Sequence, residues 1–178
     1  MNVDHQILQA QRELYRGNFL KHGDTPRGTF QNNRVTMHLR YERLVAGFDL
    51  SDRPSVLDVG CGLADLHAYL KKRGVAHRYH GSEIVPEMVE ACRLKYPDIE
   101  VDGRTIFEFP ARSFDWVVLS GALNLRGGVE LGRWHRYAMS LVEQMYAVCR
   151  LGMSFNFLTT YNTFQDPELG YFDPGVVL

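Results

Sequence analysis

The sequence predicts an α/β fold, a three-layer sandwich in which a mostly parallel sheet lies between two layers of helices. Three observations carry that expectation. Short apolar runs alternate with stretches whose apolar residues repeat at three- and four-residue spacing, as strand, helix and strand units require. The first of these runs ends in a glycine turn that opens a helix. With 178 residues, 45% hydrophobic and 23% charged, the chain suits one globular domain with a substantial core. Residues 1–50 read as an N-terminal helical segment and lid loop, and residues 51–178 as the core of that one domain.

The opening polar segment reads as helix, with Ile7, Leu8, Leu14 and Tyr15 able to share one face. Residues 17–33 read as a loop rich in glycine and turn formers, with Pro26 barring helix at its centre. This loop gathers His22, Asp24, Thr25, Arg27, Phe19 and Phe30, a mix suited to touching a ligand. A plain surface connection is the competing reading. Helical spacing returns over residues 34–48, where Met37, Tyr41, Leu44 and Phe48 form a stripe suited to core packing.

The chain is organised around Ser55 to Leu66, S-V-L-D-V-G-C-G-L-A-D-L. Val56, Leu57 and Val59 make a buried strand, Gly60-Cys61-Gly62 break it, and Leu63, Leu66 and Leu70 recur at helical spacing. The two glycines permit torsions and close approaches that a Cβ would block, so the amides of the helix start can face a ligand. Asp58 puts a carboxylate beside that turn. A dinucleotide fingerprint wants a third small residue where Asp65 stands, and a carboxylate there would repel a pyrophosphate. Gly74 suits the end of the helix.

A strand over residues 76–82 leads to Glu83, about 20 residues beyond Gly62, the separation at which an acid meets a ribose in nucleotide-binding α/β folds. Ile84 would cover an adenine ring. Pro86 starts a helix with Val85, Met88, Val89, Cys92 and Tyr96 on its apolar face, and Pro97 ends it. A short strand over residues 99–101 leads into Asp102-Gly103-Arg104. The next buried strand, residues 114–120, ends in S-G-A-L-N. Residues 131–148 show the clearest helix, with Trp134, Tyr137, Ala138, Leu141, Met145 and Val148 on one stripe. A fifth strand is expected over residues 153–160. Gly60, Glu83, Asp102 and Ser120 thus all fall at the carboxyl ends of strands, where ligands bind in such sheets.

V-L-D-V-G-C-G-x-x-D-L resembles motif I of the class I S-adenosylmethionine (SAM)-dependent methyltransferases, with Ala64 where a third glycine is usual. H-G-D-T-P-R-G before it, S-G-A-L-N after the fourth strand and Y-F-D-P near the end resemble a small bacterial subgroup with unassigned substrates. The resemblance implies a Rossmann-like sheet of order 3-2-1-4-5. It also implies methyl transfer from SAM to an oxygen, nitrogen or carbon of a small-molecule metabolite, leaving S-adenosylhomocysteine (SAH). Cofactor contacts are implied for Asp58, Gly60, Cys61, Gly62, Glu83, Ile84, Ser120 and Gly121. Asp102 stands where an adenine-binding acid is usual, with the common glycine and aspartate order reversed. Asn124 would border the reaction centre. An arginine should meet the cofactor carboxylate, with Arg27, Arg40 and Arg43 as alternatives. His22 and Asp24 are the candidates for a base, and His135 is second choice.

In this class the fifth strand is normally followed by a helix and antiparallel sixth and seventh strands, and the chain stops about where that helix would begin. A truncation, or a partner such as a second copy covering the open sheet edge, is then expected. A SAM-binding module without catalysis is the alternative function. A net charge of -1 and short basic runs at Lys71-Lys72-Arg73 and Arg133 to Arg136 disfavour a nucleic-acid partner. The three cysteines, far apart and in apolar patterns, indicate neither a disulfide framework nor a metal site. No secretory start and no run long enough for a bilayer are visible, so a cytoplasmic location is expected.

Overall fold

The computed structural model describes residues 4–177. Five strands form one parallel sheet: β1 (Ser55–Val59), β2 (Arg78–Ser82), β3 (Glu100–Asp102), β4 (Phe114–Leu119) and β5 (Cys149–Phe155). Their order is β3-β2-β1-β4-β5, as expected. Val56 lies between Tyr79 of β2 and Trp116 of β4, so β1 is central, and every residue in it is buried. Strand order reverses beside β1, which opens a crevice at the carboxyl ends of β1 and β4.

Alternating side chains divide the core between the two faces. On one face α2 (Arg34–Val45), α3 (Asp65–Lys72) and α4 (Pro86–Lys95) pack over Val56, Trp116 and Val118. On the other, α5 (Leu131–Val148) lays Trp134, Ala138, Leu141 and Met145 on Leu57, Val59, Val117 and Leu119. Ile7 of α1 (His5–His22) joins this second cluster.

The N-terminal segment departs from the sequence expectation. Residues 17–22 continue α1 rather than starting a loop, and Gly23, at φ 60°, ends the helix. Tertiary contacts hold it: Gln11 Nε2 donates to the carbonyls of Leu125 and Arg126, each at 3.1 Å. Pro26 does not bar helix but begins a short 3-10 turn, Pro26–Thr29, because a first-turn residue needs no N–H. α2 ends at Val45, and Phe48 instead stacks on Trp116 with ring centroids 4.2 Å apart.

The fifth strand also starts earlier than expected, at Cys149, directly after α5. Its early half reads poorly as strand because Gly152 interrupts it. That glycine lies under Trp116, where a Cβ would come within 2.7 Å of the indole. Asn156 then leaves the sheet and its Oδ1 accepts from Gly121 N at 2.8 Å. The expected tail of that strand is a separate element, β6 (Leu158–Thr159), paired in parallel with β7 (Tyr171–Phe172) ahead of a final turn, α6 (Pro174–Val177). β5 is an open edge carrying Leu151, 65% exposed. Among the described residues no helix is long and apolar enough to cross a membrane, and no group of three or more His, Cys, Asp or Glu could hold a metal ion.

Candidate active site

The turn after β1 depends on left-handed backbone at Gly60 (φ 67°) and Gly62 (φ 56°). Gly60 N and Cys61 N donate to Ser82 O at 2.8 and 3.2 Å, which ties the turn to the tip of β2. A Cβ on Gly62 would stand 3.1 Å from the Thr29 methyl, so the 3-10 turn of the lid lies directly on the glycine turn. Ala64 adopts the same left-handed region at φ 57° while fully buried, a costly conformation for a residue with a side chain.

Three carboxylates gather here. Glu83 accepts from Gly62 N and Val85 N, both at 2.9 Å. Burial pushes its carboxyl up to about 6, against the pull of those backbone donors. Asp58 accepts from the Tyr79 hydroxyl at 2.7 Å, and burial pushes it up to about 7. Asp65 is likewise raised by burial. Burial disfavours the ionised form of all three carboxyls, so a cationic group brought among them would be held by restoring that charge.

A cavity of about 400 Å³ runs from this turn, beneath the lid, to an apolar end between α1, α5 and β6. Asp58, Gly60, Cys61, Gly62, Glu83, Ile84, Ser120, Gly121, Asn124 and Arg40 all line it. Arg40 Nε donates to Ser120 Oγ at 2.8 Å, and its Nη2 donates to Gln31 Oε1. Six of the site candidates lie outside its walls. Asp24 pairs with Lys95 of α4 at 3.0 Å. His22 contributes its carbonyl, which accepts from Thr25 Oγ1 at 2.9 Å. Arg27 is exposed, as is the alternative Arg43. Asp102 turns to Arg104 at 2.7 Å and His80 at 3.0 Å, and Thr105, Ile106 and Phe107 form that wall instead. His135 lies against the Tyr171 carbonyl at 2.8 Å.

A family model described as a methyltransferase domain matches residues 56–150, from β1 into β5. A candidate methyltransferase of Mycobacterium tuberculosis is 33% identical over 131 residues, covering 70% of this chain and 76% of that protein. The chain belongs to the class I SAM-dependent methyltransferases. The fold is shared with Burkholderia thailandensis 1,6-didemethyltoxoflavin-N1-methyltransferase, solved with 1,6-didemethyltoxoflavin and SAH. That likeness has a TM-score of 0.67 at 15% identity and covers 99% of this chain and 76% of that one. A DhpI-SAM-HEP complex matches with a TM-score of 0.61 at 22% identity, over 90% of this chain and 70% of that one. SAM is the cofactor of this methyltransferase.

The methyltransferase's cavity fits a ligand that is both a nucleoside and a cationic zwitterion. Its wall offers buried carboxylates, a guanidinium, and a glycine cradle that a Cβ would fill. Several lining residues were not visible as site residues in the sequence. Tyr15, Thr29 and Gln31 come from the lid side, Tyr137 from a stripe that reads as core, and Leu158 and Leu169 from the tail. No local pattern marks them, because they converge from distant segments.

Two ion pairs, Arg16 with Glu87 at 2.6 Å and Asp24 with Lys95 at 3.0 Å, tie α1 and the lid to α4. Asp24 is about half exposed in its pair, so Asp24→Ala is expected to cost less than about 1 kcal/mol in urea denaturation. SAH affinity should stay within about twofold for Asp24→Ala and for His22→Ala, since neither side chain reaches the cavity. A larger loss by calorimetry would put the lid's polar residues at the ligand.

Proposed function

We propose that this methyltransferase acts on a small-molecule acceptor, at oxygen, nitrogen or carbon, held in the same cavity as the cofactor. The observation that carries this reading is the continuity of the cavity. It joins the charged residues at the glycine turn to Leu8, Leu125, Leu141, Leu158 and Leu169, and Asn124 lines the same space. Its volume lies near the lower end of the range for small-molecule sites, about 300–1,000 Å³, which favours a metabolite over a polymer.

Glu83 would hold the ribose hydroxyls, and Ile84 and Ile106 would flank the adenine. Asp58 and Asp65 would face the ammonium, and Arg40 the carboxylate. SAM supplies an electrophilic methyl on a sulfonium, with a neutral thioether as leaving group. The chain's own work is then to align the acceptor and exclude water. Thr29 and Phe30 of the lid and Ser120 and Gly121 at the β4 tip bound that space.

Calorimetric titration with SAM, SAH and NAD is the first test, followed by transfer of labelled methyl to a metabolite extract and to total RNA. Binding of both adenosyl ligands at about micromolar Kd, with none for NAD, and label in the small-molecule fraction is expected. Label confined to RNA would overturn the small-molecule reading. Cofactor binding without transfer to either pool would favour the non-catalytic module.

A further inference from the structure

Side chains of β1 alternate between the two faces of the sheet, so Asp58 shares a face with Val56, beneath α2, α3 and α4. Tyr79 of β2 is paired with Val56, which makes Asp58 its diagonal neighbour on that face, within reach of a long aromatic side chain. The Tyr79 hydroxyl donates to Asp58 Oδ2 at 2.7 Å, and both residues are buried. Asp58 belongs to the cavity wall and Tyr79 does not. Asp58 Oδ1 takes no hydrogen bond from a described residue, and it is not one of the sealed, unpaired polar atoms of the interior. It is therefore the oxygen left open.

We infer that Tyr79 is a positioning residue for the amino-acid end of the cofactor: its hydroxyl fixes one oxygen of Asp58 and favours the ionised carboxylate, which leaves the other oxygen for the ammonium. This rests on the Asp58 assignment above and adds the residue that acts through it.

The surroundings of Asp58 offer its charge little else. Burial disfavours ionisation, the charges of Glu83 and Asp65 disfavour it further, and the Tyr79 hydroxyl works the other way. Tyr41 of α2 and Cys61 of the turn also face Asp58. Burial keeps the Tyr41 phenol protonated, and the Cys92 thiol together with burial keeps Cys61 so. The Arg40 guanidinium is given to Ser120 and Gln31. Behind Tyr79 stand His67 and His77, with ring centroids 5.3 and 6.3 Å from its own, and burial lowers both so that they are neutral at pH 7. Tyr79 itself is held protonated, chiefly by burial, and so remains a donor. Among the described residues it is the single donor to the Asp58 side chain. Phenylalanine in its place would leave that carboxylate without a donor, so the acid form would persist to higher pH.

Methylthioadenosine shares the adenosine and the thioether of SAH and has neither its ammonium nor its carboxylate. Calorimetry across about pH 6 to about pH 8.5 should show Tyr79→Phe weakening SAH about fivefold at pH 7 and less than about twofold at the upper end, because the rise of affinity moves up by about one pH unit. Methylthioadenosine affinity should change by less than about twofold throughout. In an Asp58→Asn background, Tyr79→Phe should weaken SAH no further, since the two side chains act as one unit. Tyr79→Met, which keeps an apolar group of adaptable shape, serves if the phenylalanine variant loses its circular dichroism spectrum. An equal loss for both ligands, a pH profile that stays in place, or an additive loss in the double variant would each overturn the inference. Failure of Asp58→Asn to weaken SAH relative to methylthioadenosine would instead remove Asp58 from the ammonium, and the inference would fall with the assignment it rests on.

Discussion

Replacing Glu83 with alanine is expected to weaken SAM and SAH binding by at least about tenfold and to lower stability by about 2–4 kcal/mol. Two consequences of one carboxylate are combined in those figures. Its oxygens accept from Gly62 N and Val85 N, so the truncated variant leaves two backbone donors without partners beside the glycine turn. Glu83 also lines the cavity, where its carboxylate would take the ribose hydroxyls. Glu83→Gln separates the two effects. The amide keeps one acceptor oxygen and should recover part of the stability. Its NH₂ group points a donor at donors, so cofactor affinity should stay low. Calorimetry at a temperature where thermal melts show each variant folded is the measurement, and unchanged affinity in a folded variant would remove Glu83 from the cofactor site.

SAH affinity is expected to rise from about pH 5 to about pH 8, by up to about tenfold per pH unit where one carboxyl must ionise on binding. Burial holds Asp58 at about 7 and Glu83 at about 6, both above the ordinary carboxylate range. In the unfolded chain both ionise near pH 4, so between that value and the folded values the folded protein keeps protons that the unfolded chain has lost. Their contribution to stability therefore falls as pH rises through that window and levels off above about 7. Ligand binding works in the opposite direction, since the ammonium of SAH favours an ionised Asp58 and the ribose hydroxyls donate best to an ionised Glu83. Affinity is the cleaner readout, because His67, held down to about 4 by burial, favours the folded state as pH rises from its own folded value to its unfolded one. Asp58→Asn should flatten the upper part of the affinity profile. A flat profile in the unaltered protein would show that neither carboxyl has to ionise for SAH to bind.

Much of the scaffold was legible because its signals are local. A strand buried on both faces reads as an apolar run, and Ser55–Val59 does. An amphipathic helix repeats its apolar residues at three and four, and α5 covers the expected residues from Leu131 to Val148. The left-handed torsions at Gly60 and Gly62 are a property of glycine itself. The spacing from Gly62 to Glu83 is set by one strand–helix–strand unit, and the hydrogen bond from Gly62 N to Glu83 closes it.

Which side chains enter the cavity was not legible in the same way. In the residues before the turn, His22, Asp24 and Arg27 carry the conspicuous chemistry, yet Tyr15, Thr29 and Gln31 line the space, and of the three arginine alternatives only Arg40 reaches it. That selection follows from α2 packing on α3 and the sheet through Met37, Tyr41 and Leu44, which turns Arg40 toward Ser120. It follows also from Thr29 seating on Gly62. The start of β5 was hidden because Gly152 makes room for Trp116, a residue on the neighbouring strand. The sequence by itself determined the order of elements, the glycine turn and the acid beyond it, since torsion preference and periodicity act over a few residues. The tertiary structure alone decided the lid's inward face and the apolar end of the cavity. Those depend on contacts between segments far apart in the chain, and only close packing selects among the faces a segment could present.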